Sequence, residues 1–204
     1  MERNVRKRTK RSLALGILLL AGCSGAPQPR TEPNPAADRL WAALTPLCGQ
    51  AFEGRLVEGT EPSDAEIGGQ RLVMHVRTCS DREIRIPFHV GENRSRTWVV
   101  TRTEAGVRLK HDHRHEDGSE DRVTQYGGDA GKADATGEAE GIALDFPADA
   151  HTASLLPAAA TNIWTLAVEP GRTFSYRLRR EAMERRFRVD FDLSRPVPPP
   201  PAPW

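Results

Sequence analysis

The chain has 204 residues, of which 38% are hydrophobic, and its 29 basic and 28 acidic residues give a formal net charge of +1. This length allows one medium-sized folded domain with tails. The near-zero net charge excludes a generally basic nucleic-acid-binding protein, so no nucleic-acid partner is expected.

The amino terminus combines a basic segment with a short apolar one. Residues 1–22 hold six of the 29 basic residues and one of the 28 acidic residues, which leaves 23 basic and 27 acidic residues, a net charge of −4, for the remainder. The apolar run 13–22 falls well short of the roughly 20 residues that a membrane-spanning helix needs. A charged segment followed by such a run predicts that residues 1–22 are a signal peptide.

The segment Leu20-Ala21-Gly22-Cys23 ends the apolar run and resembles the lipobox of bacterial lipoproteins. The resemblance implies that Cys23 is lipidated and becomes the first residue of the mature chain. The residue after it is Ser24, and the Asp that retains lipoproteins in the inner membrane is absent. The resemblance therefore implies a lipid anchor in the outer membrane, with the protein facing the periplasm. The alternative is a buried hydrophobic helix with an incidental cysteine.

Two cysteines, Cys48 and Cys79, remain once Cys23 carries acyl chains. An even pair in a compartment that permits oxidation favours a disulfide between them. The alternative is two separate buried thiols.

Proline-rich segments flank the predicted body. Residues 23–35, which follow the signal peptide, are predicted to form an extended tether behind the lipidated cysteine. Residues 196–204 contain six prolines and are predicted to be a disordered polyproline II tail without fixed contacts. A peptide ligand for a partner domain is the alternative function of this tail. A single folded domain is therefore expected over residues 36–195.

The folded domain is predicted to begin with one helix and to continue as strands. The helix spans Pro35–Leu47, where Leu40, Trp41, Leu44 and Leu47 form one apolar face. Alternating apolar and polar residues then predict about ten strands with one buried face each. These strands are Ala51–Glu58, Gln70–Thr78, Arg82–His89, Thr97–Thr103, Val107–His115, Arg122–Tyr126, Gly141–Phe146, Asn162–Val168, Phe174–Arg179 and Phe187–Leu193.

Short, turn-like connections between these strands favour antiparallel neighbours, and ten one-sided strands require closure. The predicted fold is mainly β, an antiparallel up-and-down meander that closes into a small barrel with one short N-terminal helix. Its order of elements resembles the lipocalin-like calycin barrels, including a Pro-rich crossover over Pro147–Pro157. This resemblance is architectural and carries over no binding residues. Two polar segments, Glu116–Asp121 and Gly127–Gly141, are predicted to be mobile loops.

One histidine cluster is the candidate site. Residues two apart on a strand share a face at a spacing of about 6.6 Å, so His111, His113 and His115 are expected to project into the barrel beside Val107 and Leu109. The intervening residues, Arg108, Lys110, Asp112 and Arg114, are expected to face water. Two imidazoles at this spacing can chelate one zinc or copper ion, and haem is a further possibility. The alternative without a functional role is a polar patch near the barrel mouth that is hydrogen-bonded to neighbouring strands.

The metal hypothesis lacks an obvious further ligand. His75 and His89 fall on the solvent-facing side of their predicted strands, and His151 lies in the predicted crossover. The chain also lacks a Gly-x-Ser-x-Gly nucleophile motif and a complete phosphate-binding loop. We therefore expect a protein that binds rather than catalyses.

The functional prediction is a cell-envelope lipoprotein whose barrel binds a small apolar or amphipathic ligand. One alternative is a metal- or haem-binding protein or enzyme that uses the histidine cluster. The other is a structural or interaction lipoprotein that docks an envelope protein partner. A barrel interior packed solid with side chains would favour this last alternative over a ligand carrier.

Overall fold

The structure is a computed structural model that describes residues 1–2, 34–130, 135–136, 141–180 and 183–204, with the backbone alone described at 135–136. The described residues from Asn34 onward belong to one compact unit. The predicted signal peptide, the predicted lipidation site Cys23 and nearly all of the predicted tether lie outside the described residues. Within the described ranges, no helix combines the length and the apolar character that crossing a bilayer requires.

Helix α1 (Pro35–Leu44) continues into a 3-10 turn (Thr45–Leu47), as the sequence predicts. The Asn34 side chain caps the helix by accepting a hydrogen bond from the Ala37 N–H at 3.2 Å, and proline at the first helical position needs no hydrogen-bond partner. The predicted apolar face is buried: Leu40, Trp41, Leu44 and Leu47.

Half of the described residues lie in strands, and two further short helices join some of these strands. Along the described chain, the strands are β1 (Ala51–Gly59), β2 (Leu72–His75), β3 (Thr78–Cys79), β4 (Glu83–Val90), β5 (Asn93–Arg102), β6 (Val107–His113), β7 (Tyr126–Ala130), β8 (Ala135–Thr136), β9 (Ile142–Pro147), β10 (Ile163–Glu169), β11 (Thr173–Arg180) and β12 (Arg185–Val197). Helix α2 (Pro62–Gly68) lies between β1 and β2, and α3 (Ala150–Leu155) lies between β9 and β10.

Ten of these strands form a nearly closed antiparallel barrel, which confirms the predicted fold class. Their order is β7-β6-β5-β4-β2-β1-β12-β11-β10-β9, and the two-residue strands β3 and β8 pair with β4 and β9. Neighbouring strands follow one another along the chain except where β12 pairs with β1. This last pairing brings the end of the chain beside its first strand, which an up-and-down barrel requires.

The barrel approaches closure where glycines of β7 meet the end of β9. A Cβ atom added at Gly128 would lie 1.7 Å from the Pro147 carbonyl oxygen, so this approach excludes any side chain. The Asp149 N–H donates to the Gly127 carbonyl at 2.9 Å. The Thr152 hydroxyl accepts from the Gly127 N–H at 2.7 Å and donates to its carbonyl at 2.8 Å. Backbone contact and α3 together seal this side of the barrel.

The segment around β7 corrects two sequence predictions. Residues 122–126 are predicted as a strand and residues 127–141 as a mobile loop, whereas β7 spans Tyr126–Ala130. The lack of large apolar side chains at Gly127 and Gly128 suggests a loop by pattern alone. The structure assigns those glycines to close backbone packing, which a periodicity analysis does not detect.

Large side chains fill most of the barrel interior. Trp98, Trp164, Phe52, Phe146, Phe174 and Phe191 are the largest fully buried side chains. Phe174, Phe191 and Trp98 contact one another with ring centroids 5.9–6.1 Å apart. The buried aromatic and aliphatic residues form one continuous core that includes the inner face of α1. The buried side chains of the described residues therefore occupy the space that a lipid-sized lumen would need.

Cys48 and Cys79 form a disulfide, with Cα atoms 6.2 Å apart, which confirms the predicted pairing. The bond joins the turn after α1 to the short strand β3 and closes a separation of 31 residues. It holds the helical cap against the sheet at one end of the barrel.

The C-terminal tail differs from the predicted contact-free segment. Pro196 and Val197 extend β12 and pair with β1. Farther on, the Arg94 side chain donates to the Ala202 carbonyl at 3.2 Å, and the Trp204 N–H donates to the Arg94 carbonyl at 3.3 Å. The Arg94 guanidinium also lies 5.8 Å from the centre of the Trp204 ring. These contacts fix the end of the tail on β5.

His75 and His89 project from the outer face of β2 and β4, as predicted, but they are buried, with 5% and 4% exposure. The tail begins beside Ala51, which is the pairing partner of His75, and ends on Arg94 in β5. Residues 198–203 connect these two points, and we expect them to contribute to the burial of both imidazoles. The two imidazoles are buried and not exposed as predicted, because tertiary packing covers a sheet face that the strand pattern predicts to be polar.

Candidate functional site

A pocket of about 210 Å³ opens at the end of the barrel opposite α1. Strand β5 runs from the pocket to α1. Arg96, near the start of β5, lines the pocket, and Arg102, at the other end of β5, pairs with Asp38 of α1. Its walls come from α2 and from strands on both sides of the barrel. They comprise Ser63, Asp64, Ile67, Phe88, Arg96, Thr97, Trp98, His111, His113, Tyr126, Tyr176, Leu178, Arg185 and Phe187.

Aromatic rings form the apolar part of this pocket. Trp98 lies between two rings that stack on it, Phe88 at 4.9 Å and Tyr176 at 4.5 Å between centroids. Phe187 meets Tyr176 edge-on at 6.2 Å. Stacked rings lose little conformational freedom on binding, so they present a flat and rigid apolar surface.

His111 lies on the pocket wall in a single defined tautomer. Its Nδ1 atom is 3.1 Å from the Tyr126 carbonyl oxygen, which can only accept, so Nδ1 carries the proton. Its Nε2 atom then accepts from the Tyr176 hydroxyl at 2.8 Å. Burial lowers the pKa of His111 to about 3, so the ring is neutral at pH 7. Both ring nitrogens of His111 are therefore engaged within the protein.

His113 is the second predicted residue on the pocket wall. Its Nε2 atom is 3.0 Å from the Tyr126 hydroxyl. Burial, and then the positive charge of Arg96, lower the pKa of His113, while burial raises the pKa of Tyr126 to about 12. At pH 7 this pair is neutral, and it can both donate and accept hydrogen bonds.

His115, the third predicted residue, lies outside the pocket. Strand β6 ends at His113, two residues earlier than predicted, and a turn follows with an isolated bridge between Arg114 and Glu120. The His115 side chain is 58% exposed, and its Nε2 atom lies 3.9 Å from an Asp121 carboxylate oxygen. The structure thus brings together two of the three predicted imidazoles.

Asp112 also departs from its predicted environment. It projects from the outer face of β6 as expected, yet its side chain is only 2% exposed, because two arginine side chains cover it. Arg85 pairs with it from β4, across β5, and Arg114 approaches within 3.2 Å. The outer face of β6 is therefore polar but partly sealed by ion pairs.

The described residues contain no group of three or more His, Cys, Asp or Glu side chains placed to hold a metal ion. In the predicted cluster, His111 would have to give up its Tyr176 hydrogen bond to ligate, and His115 lies outside the pocket. His151 is exposed on α3. In the structure, His111 and His113 are hydrogen-bonded parts of the pocket lining.

Two arginines give the pocket its polar rim. Arg185 makes an ion pair with the buried Asp64 carboxylate through both of its terminal nitrogens. Arg96 is half-buried and donates from Nη1 to the Asn93 side-chain oxygen at 2.9 Å. Among the described residues, no carboxylate lies within ion-pair distance of Arg96. The Asp64 carboxylate thus neutralises Arg185, whereas no carboxylate of the described residues neutralises Arg96.

Helix α2 covers part of the pocket and is not predicted from the sequence. Glu61 and Asp64 form a reciprocal capping box, with Pro62 at the first helical position, and this pattern is the sequence signal that could have identified the helix. With only seven residues, α2 is too short to display a clear apolar period. Its Ile67 faces the core and lines the pocket.

The fold and site define the chain as a nearly closed antiparallel barrel with a filled interior and one small aromatic pocket. Comparison with protein-family models, with curated protein sequences and with solved structures finds no match for this chain.

Proposed function

We propose that this chain is a lipid-anchored protein of the bacterial cell envelope whose barrel binds one small amphipathic ligand. The segment Leu20–Cys23, at the end of a short apolar run behind six basic residues, supports the lipid anchor. The pocket at the mouth of the barrel supports ligand binding.

The observation that carries ligand binding is an apolar pocket with a polar rim in an otherwise filled barrel. A cavity of about 150 Å³ lined by apolar groups can hold benzene, and drug-sized sites begin at roughly 300 Å³. At about 210 Å³, this pocket suits a single ring or a short chain with one polar group. The proposal is therefore a small metabolite-sized ligand rather than a membrane lipid.

The lipid anchor is tested on the full chain expressed in a bacterial host. Mass spectrometry of the mature protein is expected to find acylated Cys23 as the first residue. The Cys23→Ala variant is expected to lose the acyl chains and to be released from the membrane or to remain unprocessed. An unmodified Cys23 in the mature wild-type protein would exclude the anchor.

Ligand binding is tested by filling the pocket. Ile67→Trp places a larger ring at the pocket wall, whereas Val57→Trp adds the same ring at a position that is 46% exposed. Ligand-observed NMR with small aromatic and short-chain compounds is expected to show binding to the wild type and to Val57→Trp but not to Ile67→Trp. Equal binding to all three proteins would place the ligand elsewhere.

Docking to an envelope protein partner is the second candidate function. The filled barrel interior favours it, because such a core stabilises a fold without holding a ligand. Crosslinking in intact cells, followed by identification of one reproducible partner, would support this role. Loss of that crosslink in the Ile67→Trp variant would show that partner and ligand compete for the same pocket.

A further inference from the structure

We propose that the ligand of the barrel-mouth pocket carries a single carboxylate, which Arg96 binds, and an aromatic or short aliphatic body, which lies against Trp98. This inference rests on the proposed ligand-binding function and adds the chemical class of the ligand. It follows from the charges, the hydrogen-bond donors and the shape of the pocket.

The charge of the pocket favours an anion. Of the described residues that line it, Asp64 is the one carboxylate, and Arg185 already pairs with it at 2.8 Å. The imidazoles of His111 and His113 are neutral because burial opposes their protonation. The charge that remains is the single positive charge of Arg96. One cation without a partner at the rim of an apolar cavity is best neutralised by a ligand with one negative charge.

Asp121, a carboxylate near the pocket, does not supply that neutralisation. Asp121 lies close enough to influence His113, but it accepts a hydrogen bond from the Val123 N–H at 2.7 Å and faces His115 at 3.9 Å. It does not line the pocket. Arg96 therefore presents its charge toward the mouth without competition from this group.

Arg96 also retains hydrogen-bond donors that a ligand carboxylate could use. The Tyr176 hydroxyl proton goes to His111, whose Nδ1 proton goes to the Tyr126 carbonyl. A guanidinium has five N–H donors, and the described contacts of Arg96 use Nη1 on Asn93. The remaining N–H groups can form the planar two-point contact that matches a carboxylate.

The shape of the pocket sets the orientation of the ligand. Arg96 pairs with Phe88 across the β4–β5 ladder, and Phe88 stacks on Trp98 at 4.9 Å. A carboxylate on Arg96 at the rim would thus place the body of the ligand beside Phe88 and the edge of Trp98, because Phe88 and Tyr176 already stack on the Trp98 ring. The volume of about 210 Å³ limits that body to roughly one ring.

The test measures how tightly the full chain binds pairs of ligands that have the same shape but differ in charge. Isothermal titration calorimetry would measure benzoate against benzamide, and hexanoate against hexanamide, at low ionic strength. The wild-type protein is expected to bind each carboxylate about tenfold more tightly than its amide, which is the magnitude of a partly exposed charge-assisted contact. Equal affinity of carboxylate and amide would overturn the inference while leaving the proposed pocket in place.

Variants then assign the charge recognition to one residue. Arg96→Gln is expected to remove the preference for the carboxylate over the amide, while Arg96→Lys keeps the charge and retains part of the preference. Arg82→Gln removes the same charge from an exposed turn and serves as the control. A preference that survives Arg96→Gln in a folded protein would overturn the role of Arg96. Failure of all four probes to bind the wild type would refute both the inference and the proposed pocket.

Discussion

Arg185 and Asp64 lie 121 residues apart in the sequence and meet in a two-point ion pair beside the barrel mouth. The side chain of Asp64 is 2% exposed and that of Arg185 is 15% exposed. The pair fastens α2 to the beginning of β12. It thereby holds Ile67 against the pocket that we propose as the ligand site.

The first prediction concerns this ion pair. Asp64→Ala should lower the free energy of unfolding by about 3 kcal/mol or more, because it leaves a poorly exposed guanidinium without its partner and breaks the α2 capping box. Urea denaturation followed by circular dichroism measures the change. Asp38→Ala is the control, since Asp38 pairs with Arg102 at 60% exposure and should contribute at most about 1 kcal/mol. Equal effects of the two substitutions would contradict a special role for the buried pair.

The second prediction concerns the disulfide. Replacing both Cys48 and Cys79 with Ser should lower the free energy of unfolding by about 3–4 kcal/mol, since the bond closes a loop of 31 residues in the unfolded chain. Denaturation with and without reductant gives the same comparison on the wild-type protein. The reductant should leave the stability of the double variant unchanged, and a change there would show that it acts on something other than this bond.

The third prediction concerns the side of the barrel where β7 meets β9. Gly128→Ala should destabilise the fold by more than about 2 kcal/mol, because the added carbon would lie 1.7 Å from the Pro147 carbonyl oxygen and would force the two strands apart. Gly69→Ala is the matched control, since its nearest neighbouring atom lies 3.4 Å away. Thermal denaturation of both variants measures the difference, and a Gly128→Ala protein as stable as the control would show that the barrel opens freely at this point.

The fourth prediction concerns acid stability and His89. Burial, then the charges of Arg94, His75 and Arg77, lower its pKa to about 4. The unfolded chain, with a pKa near 6.5, therefore binds more protons below pH 6.5, and this residue removes stability as the pH falls from about 6.5 toward 4. The share of His89 between pH 7 and pH 5 is about 2 kcal/mol.

His89→Gln should reduce the loss of unfolding free energy between pH 7 and pH 5 by that amount, as measured by urea denaturation at both pH values. His151→Gln makes the same substitution at an exposed imidazole on α3 and is the matched control variant. Deleting residues 198–204 should expose His89 and raise its pKa toward its ordinary value, which NMR titration can follow. An unchanged pKa after the deletion would show that the tail does not cover this imidazole.

The sequence alone determined the elements whose side chains alternate or repeat clearly. The α1 helix follows from the spacing of Leu40, Trp41 and Leu44, and strands such as β4 and β12 follow from their two-residue period, because burial of one face imposes that period. The pairing of Cys48 with Cys79 follows from counting cysteines. Short connections between one-sided strands were enough to predict an antiparallel barrel.

Only the tertiary structure decided what depends on contacts between distant segments. The Gly128 backbone approaches Pro147, the end of the tail contacts Arg94, and two arginines cover Asp112, and none of these contacts leaves a periodic trace in the sequence. The residues of the candidate site also fall into two groups, those predicted from the sequence and those identified only in the structure. Strand period placed His111 and His113 on one wall, whereas Arg96 became a candidate only once the pairing of Arg185 with Asp64 left it as the cation without a carboxylate. The net charge of the pocket depends on charged residues from distant segments of the chain, and these residues come together only when the chain folds.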